Sequence, residues 1–131
     1  MKRQILMKIQ GSEQGLITKD NSNSKNDAVL VNSIGLSREK DENGAPILRI
    51  TIDKDIDHST PFIFDAIKRD EKIDITIKYT IENEEPSIFN YKNAIIDKIN
   101  TLFCSADFTP IDGFSGRKGA PYEVIQIIVN N

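Results

Sequence analysis

His58–Thr80, HSTPFIFDAIKRDEKIDITIKYT, changes its hydrophobic period halfway along. In the second half, Ile73, Ile75, Ile77 and Tyr79, continued by Ile81, fall on one face, and Asp74, Thr76, Lys78 and Thr80 on the other. A period of two belongs to a half-buried strand. The first half opens on Ser59, Thr60 and Pro61. A Ser or Thr hydroxyl can accept from the free N–H groups of a first helical turn, and a proline there loses nothing by lacking its own. The spacing predicts a helix over about Pro61–Asp70. Phe62, Ile63, Ala66 and Ile67 form its apolar side, Phe64 widens it, and Asp65, Lys68, Arg69 and Asp70 face water. Almost everything else periodic in the chain reads as strand, so one short helix has to be fitted to a sheet.

Upstream, Ile5, Met7 and Ile9 alternate with polar neighbours as far as Gly11, and Asn21–Asp27 reads as a solvated loop. Ala28–Ser37, AVLVNSIGLS, puts Leu30, Ile34 and Leu36 on one face as the natural core side. Val29, Val31, Ser33, Gly35 and Ser37 then lie on the other. Asn43-Gly44 within Asp41–Pro46 predicts a hairpin, because both residues tolerate positive φ. Leu48, Ile50 and Ile52 share a face in the strand that follows. Downstream come Ser87–Ile99 and Tyr122–Asn130. Six or seven strands at this spacing make a mainly β domain over 1–131, a small antiparallel β-barrel or two-sheet sandwich. The helix then serves as a lid on a barrel mouth or a sheet edge. The last strand is apolar on both sides, with Val124 and Ile128 on one and Ile125, Ile127 and Val129 on the other. Such a strand is normally covered on both faces, by a second layer of a sandwich or by another subunit.

Composition narrows the classes. The 131 residues include 22 Ile, 3 Tyr and no Trp, a β-branched bias that favours sheets. The net charge of -3 comes with no basic stretch, which argues against a nucleic-acid partner. The single cysteine excludes an internal disulfide. Ile5, Leu6 and Met7 are too short a run for a signal-peptide core, and no stretch approaches the ~20 apolar residues of a membrane span. The expectation is a cytoplasmic protein without membrane insertion; any export has to proceed without a signal peptide.

No stretch carries a recognisable catalytic or metal signature. Asp53, Asp55 and Asp57 alternate like the opening of a calcium loop, but the positions needing Gly and Glu hold His58 and Phe64. The aspartates then read as outward carboxylates at a strand end. His58 and Cys104 are the sole members of their types, and no third group is placed to orient a nucleophile. Gly113–Gly119, GFSGRKG, lacks phosphate-loop spacing and has no helix after it; it reads as a loop. No enzyme, cofactor or metal site is expected.

Five stretches, in this order and spacing, resemble the hemolysin-coregulated proteins (Hcp), the tube subunits of type VI secretion systems. Ile5–Thr18 is similar to the family's first strand and its Gly-rich turn, and Val29–Ser37 to its second strand. Ser59–Ile67 resembles its helix, IDITIKYT the strand after it, and Asn93–Asn100 a later strand. The connection Arg38–Ile47 is shorter than the family's extended loop. The resemblance implies a structural subunit forming a homohexamer, with ring-shaped hexamers stacked into a tube that carries and exports effector proteins. Its partners would be other copies, the sheath and spike of the machine, and effectors in the lumen. It implies that Ser33, Gly35 and Ser37 face the lumen and cargo. Ring closure would place Ile125, Ile127 and Val129 at a subunit interface. A contractile phage-like tail-tube protein shares this physics, and a monomeric β-barrel ligand-binding module is the reading from another class.

Overall fold

The structure, a computed structural model, describes residues 2–19, 27–103 and 121–130. Cys104 and the Gly113–Gly119 loop lie outside the described residues. Among the described residues are eight strands and one helix. In chain order they are β1 (Arg3–Gly11), β2 (Gly15–Leu16), β3 (Val29–Val31), β4 (Ser33–Lys40), β5 (Pro46–Asp55), α1 (Thr60–Lys68), β6 (Lys72–Ile81), β7 (Ser87–Leu102) and β8 (Tyr122–Asn130). All pairings are antiparallel, in the order β2-β1-β6-β7-β8-β5-β4, with β3 added on the free side of β1. The expected mainly β fold with one helix is what forms.

The inward face collects the apolar sets that the alternation predicts. Met7 and Ile9 of β1, Ile73, Ile75 and Ile77 of β6, and Leu48, Ile50 and Ile52 of β5 meet in one core. The helix contributes Ile63 and Ala66 to it and packs along β7. Two irregularities set the phase of β7. Its register slips by one residue against β6 near Asn93, which has a φ of 55°, and slips again against β8 around Asp97. Each bulge inverts the alternation, so Tyr91, then Ala94 and Ile96, then Ile99 all turn toward the core.

Three expectations are corrected. Ala28–Ser37 is not one strand: it breaks at Asn32, so that Val29 and Val31 point inward before the break and Ile34 after it. Leu30 and Leu36, expected in the core, are 60 % and 55 % exposed. Ile125, Ile127 and Val129, expected at a subunit interface, are core residues at 0 %, 0 % and 6 % exposure, because β8 sits between β5 and β7 with this face inward. In the Asp41–Pro46 hairpin only Gly44 takes positive φ, at 82°, while the Asp41 carboxylate accepts from the N–H groups of Asn43 and Ala45.

The helix ends are built differently from the simple cap. Ser59 and Thr60 make no side-chain bond to the first-turn N–H groups. The Ser59 hydroxyl donates to Asp57 instead, and that of Thr60 donates to Glu123 at 3.1 Å. Glu123 is fully buried and forms a 2.6 Å ion pair with Lys54, also fully buried, across the β5–β8 ladder. The Lys54 ammonium also donates to Asp57 at 2.9 Å and to the Asp55 carbonyl at 3.0 Å, which uses all three of its protons. At the other end Asp70, with a φ of 49°, holds the left-handed position usual for glycine. The Asp70 N–H donates to the Ile67 carbonyl and the Glu71 N–H to that of Ala66.

That turn delivers Glu71, 2 % exposed, beneath the β1–β2 turn. Its carboxylate accepts from the backbone N–H groups of Glu13 (2.8 Å) and Gln14 (2.7 Å) and from the Gln14 side-chain amide (2.8 Å). A Cβ at Gly11 would collide with this carboxylate. Burial by itself raises the carboxyl's pKa, but the bonds from Gln14 and Glu13, with the nearby Arg69 charge, together hold it below the usual glutamate range.

Two stability outcomes follow. Glu123→Ala leaves Lys54 buried with one counter-charge fewer and should cost about 3–5 kcal/mol. Lys54→Met combined with Glu123→Leu should recover more than half of that loss in urea titrations; a double variant as unstable as the single one would mean the pairing is not the source. For Glu71, a lowered folded pKa contributes stability that is complete above the unfolded value of about 4.3. It is lost as pH falls through the lower folded value. Glu71→Gln should therefore destabilise the protein at neutral pH and flatten this acid dependence in melting curves.

Candidate functional site

The outward face of β4, β5, β8 and β7 forms one wall. Ser33, Gly35 and Ser37 stand opposite Asp53, Thr51 and Arg49 on β5. These in turn oppose Val124, Gln126 and Ile128 on β8, which lie beside Asn100, Lys98 and Ile95 on β7. Ser33 is half-buried, and Gly35 and Ser37 are exposed. All three lie opposite in phase to Ile34, so they point away from the core, as the alternation predicts. A Cβ at Gly35 would meet open space, so nothing crowds the wall there.

Arg49 organises the wall. Its Nε donates to the Glu39 carboxylate of β4 at 3.2 Å, and one terminal nitrogen donates to Asp97 of β7 at 3.1 Å and Gln126 of β8 at 3.0 Å. A planar fork with several fixed donors serves three neighbouring strands at once. The Asp97 bond first, then those from Glu39, raise the guanidinium pKa further, so the cation is permanent. The signal missed in the sequence is the bulge near Asn93: without it Asp97 would keep the phase of Tyr91, which faces the core, and turn away from Arg49.

The other candidates separate. Asp53 is buried at 2 % exposure and accepts from the Asn32 side chain at 3.2 Å, while Asp57 is engaged by Ser59 and Lys54. Asp53 therefore lies on the outward face as read but is covered by Asn32, and the reading of Asp57 as an outward carboxylate is corrected, because the buried lysine draws it in. His58 Nε2 donates to the Thr18 carbonyl at 2.9 Å, a contact that fixes the segment after β2. Among the described residues no group of three His, Cys, Asp or Glu is placed to hold a metal ion. No helix among them is long and apolar enough to cross a membrane.

Besides Ile56, Phe64, Leu102 and Phe103, large apolar side chains remain in water in two groups. One is an outward row running from Leu30 through half-buried Leu6 and exposed Lys78 to Ile88, with Leu30 and Ile88 exposed by 60 % and 59 %. The other is a cleft of about 290 Å³ where Leu36 and Phe89, 55 % and 48 % exposed, meet Ile5, Ile34 and Tyr79. Patches of this kind mark surfaces that meet a partner.

No protein-family model matches the chain, and no curated protein matches it. Solved structures do. The chain is similar to the crystal structure of an Hcp protein, with a TM-score of 0.68 and 16 % identity over 98 % of this chain and 87 % of that one. It is similar to the secreted protein Hcp3 from Pseudomonas aeruginosa, with a TM-score of 0.59 and 19 % identity over 94 % and 85 % of the two chains. A doubly substituted Hcp1 protein from E. coli EAEC 042 gives 0.61 and 13 %, over 95 % and 88 %. The chain has an Hcp-like fold.

Proposed function

We propose that this protein is a structural subunit of a type VI secretion inner tube, forming ring-shaped hexamers that stack and carry effector proteins. The observation that carries the reading is the structural likeness to Hcp proteins over nearly the whole of both chains. The wall supports it. A channel that passes varied cargo needs small or polar groups, because a large apolar surface would retain whatever entered. Ser33, Gly35 and Ser37 are small, point outward and adjoin the Arg49 network, so we assign them to the lumen. Copies of itself, the sheath and spike proteins, and effectors in the lumen are then its partners, and it leaves the cytoplasm with the tube rather than through a signal peptide.

Burial of Ile125, Ile127 and Val129 moves the proposed subunit contact elsewhere. The row Leu30, Leu6 and Ile88 carries large apolar side chains that a neighbouring copy would cover. Where its rotation closes, a heterologous contact gives a ring rather than a filament.

Size-exclusion chromatography with light scattering should return a ring of hexamer mass; a monomer at every concentration overturns the reading in favour of a ligand-binding barrel. Leu30→Asp with Ile88→Asp should release monomers whose circular dichroism is unchanged. Ile125→Asp, by contrast, should unfold the chain.

A further inference from the structure

Two apolar surfaces of the chain match each other. The first is the cleft where Leu36 and Phe89 meet Ile34, Tyr79 and Tyr91, so aromatic rings line much of it. Along β1 it lies at Ile5, about 20 Å from Gly11, where Glu71 brings the end of the helix against the sheet. The second is the outer face of α1. Unlike buried Ile63 and Ala66, Phe64 is 43 % exposed, and exposed Lys68 lies one turn on, along the same face. No residue of α1 lines the cleft, so the two surfaces are distinct.

Their charges match as well. The turn from β6 into β7 carries Glu82, Glu84 and Glu85 without a basic residue, and it leads to Phe89 at the rim of the cleft. Among the described residues no ion pair engages Lys68, Glu84 or Glu85. The cleft also adjoins the row already given to a neighbouring copy, because Ile88 of the row and Phe89 of the rim are consecutive in β7. A heterologous contact joins two different surfaces, and that row is only one of them.

We propose that the outer face of α1 is the other half of the contact between copies. Phe64 of one copy enters the cleft of the next, and Lys68 lies against Glu84 and Glu85 of that copy. Packing on Tyr79, Phe89 and Tyr91 anchors the contact, since a desolvated aromatic side chain in a pocket carries much of the energy of such an interface. The charges at the rim fix its register and direction. The assignment rests on the tube reading, which supplies the second copy.

The test is a cross-link in the full chain, with Cys104→Ser to remove the native thiol. Phe64→Cys combined with Phe89→Cys should give, on mild oxidation, a ladder of disulfide-linked species ending at hexamer mass. Either substitution alone should leave the chains unlinked. Independently, Lys68→Glu should raise the concentration at which rings dissociate at least tenfold, with circular dichroism unchanged. Glu84→Lys with Glu85→Lys should do the same, and combining all three should recover most of the loss. Rings that show no link between the introduced cysteines, or a combined variant no better than either reversal alone, overturn the proposal while the tube reading stands; the cleft then belongs to another occupant. A parent chain that stays monomeric at every concentration overturns both.

Discussion

The buried pair Lys54–Glu123 is the constraint around which the rest is arranged. Two full charges with no solvent contact are tolerated only when every donor and lone pair is occupied. Lys54 occupies its protons with Glu123, Asp57 and the Asp55 carbonyl, and Glu123 takes the Thr60 hydroxyl as well. These partners come from β5, β8, the link before the helix and the helix's first residue. Satisfying one ammonium therefore fixes the helix start against the sheet, and Ile63 and Ala66 follow into the core. The helix C-terminus is fixed by the same logic, with the buried Glu71 carboxylate saturated by the β1–β2 turn. The helix is thus pinned by buried charge at both ends and by apolar packing between them.

With the helix fixed, the character of the surface depends on where strands reverse phase. The break at Asn32 exchanges which side of the Val29–Lys40 segment faces inward, and it hands the chain from β1 to β5. That exchange leaves Leu36 exposed. The bulges in β7 allow one long strand to serve β6 and β8 in succession while its apolar residues keep facing the core. The first of them, near Asn93, also brings Asp97 onto the wall where Arg49 can reach it. Polar wall and apolar row are products of the same few irregular residues.

What the sequence by itself determined is whatever follows from local period and local chemistry. Ile73, Ile75 and Ile77 alternate, so they form a strand with that face buried. The run from Pro61 has a helical period and forms a helix there, and the order of strand and helix motifs was enough to suggest an Hcp-like fold. The outward direction of Ser33, Gly35 and Ser37 was legible because they lie out of phase with Ile34. Alternation, however, defines two faces without saying which is inside, and it holds only while the strand stays regular. Both faces of β8 are apolar, so only its place between β5 and β7 decided that Ile125, Ile127 and Val129 are core. The switch at Asn32 was invisible because its cause is pairing with β1 on one side and β5 on the other. The role of Thr60 was misread because its partner, Glu123, lies 63 residues away in the chain. Its hydroxyl would cap a helix in isolation; in the fold it answers a buried carboxylate, whose desolvation makes that bond the more demanding one.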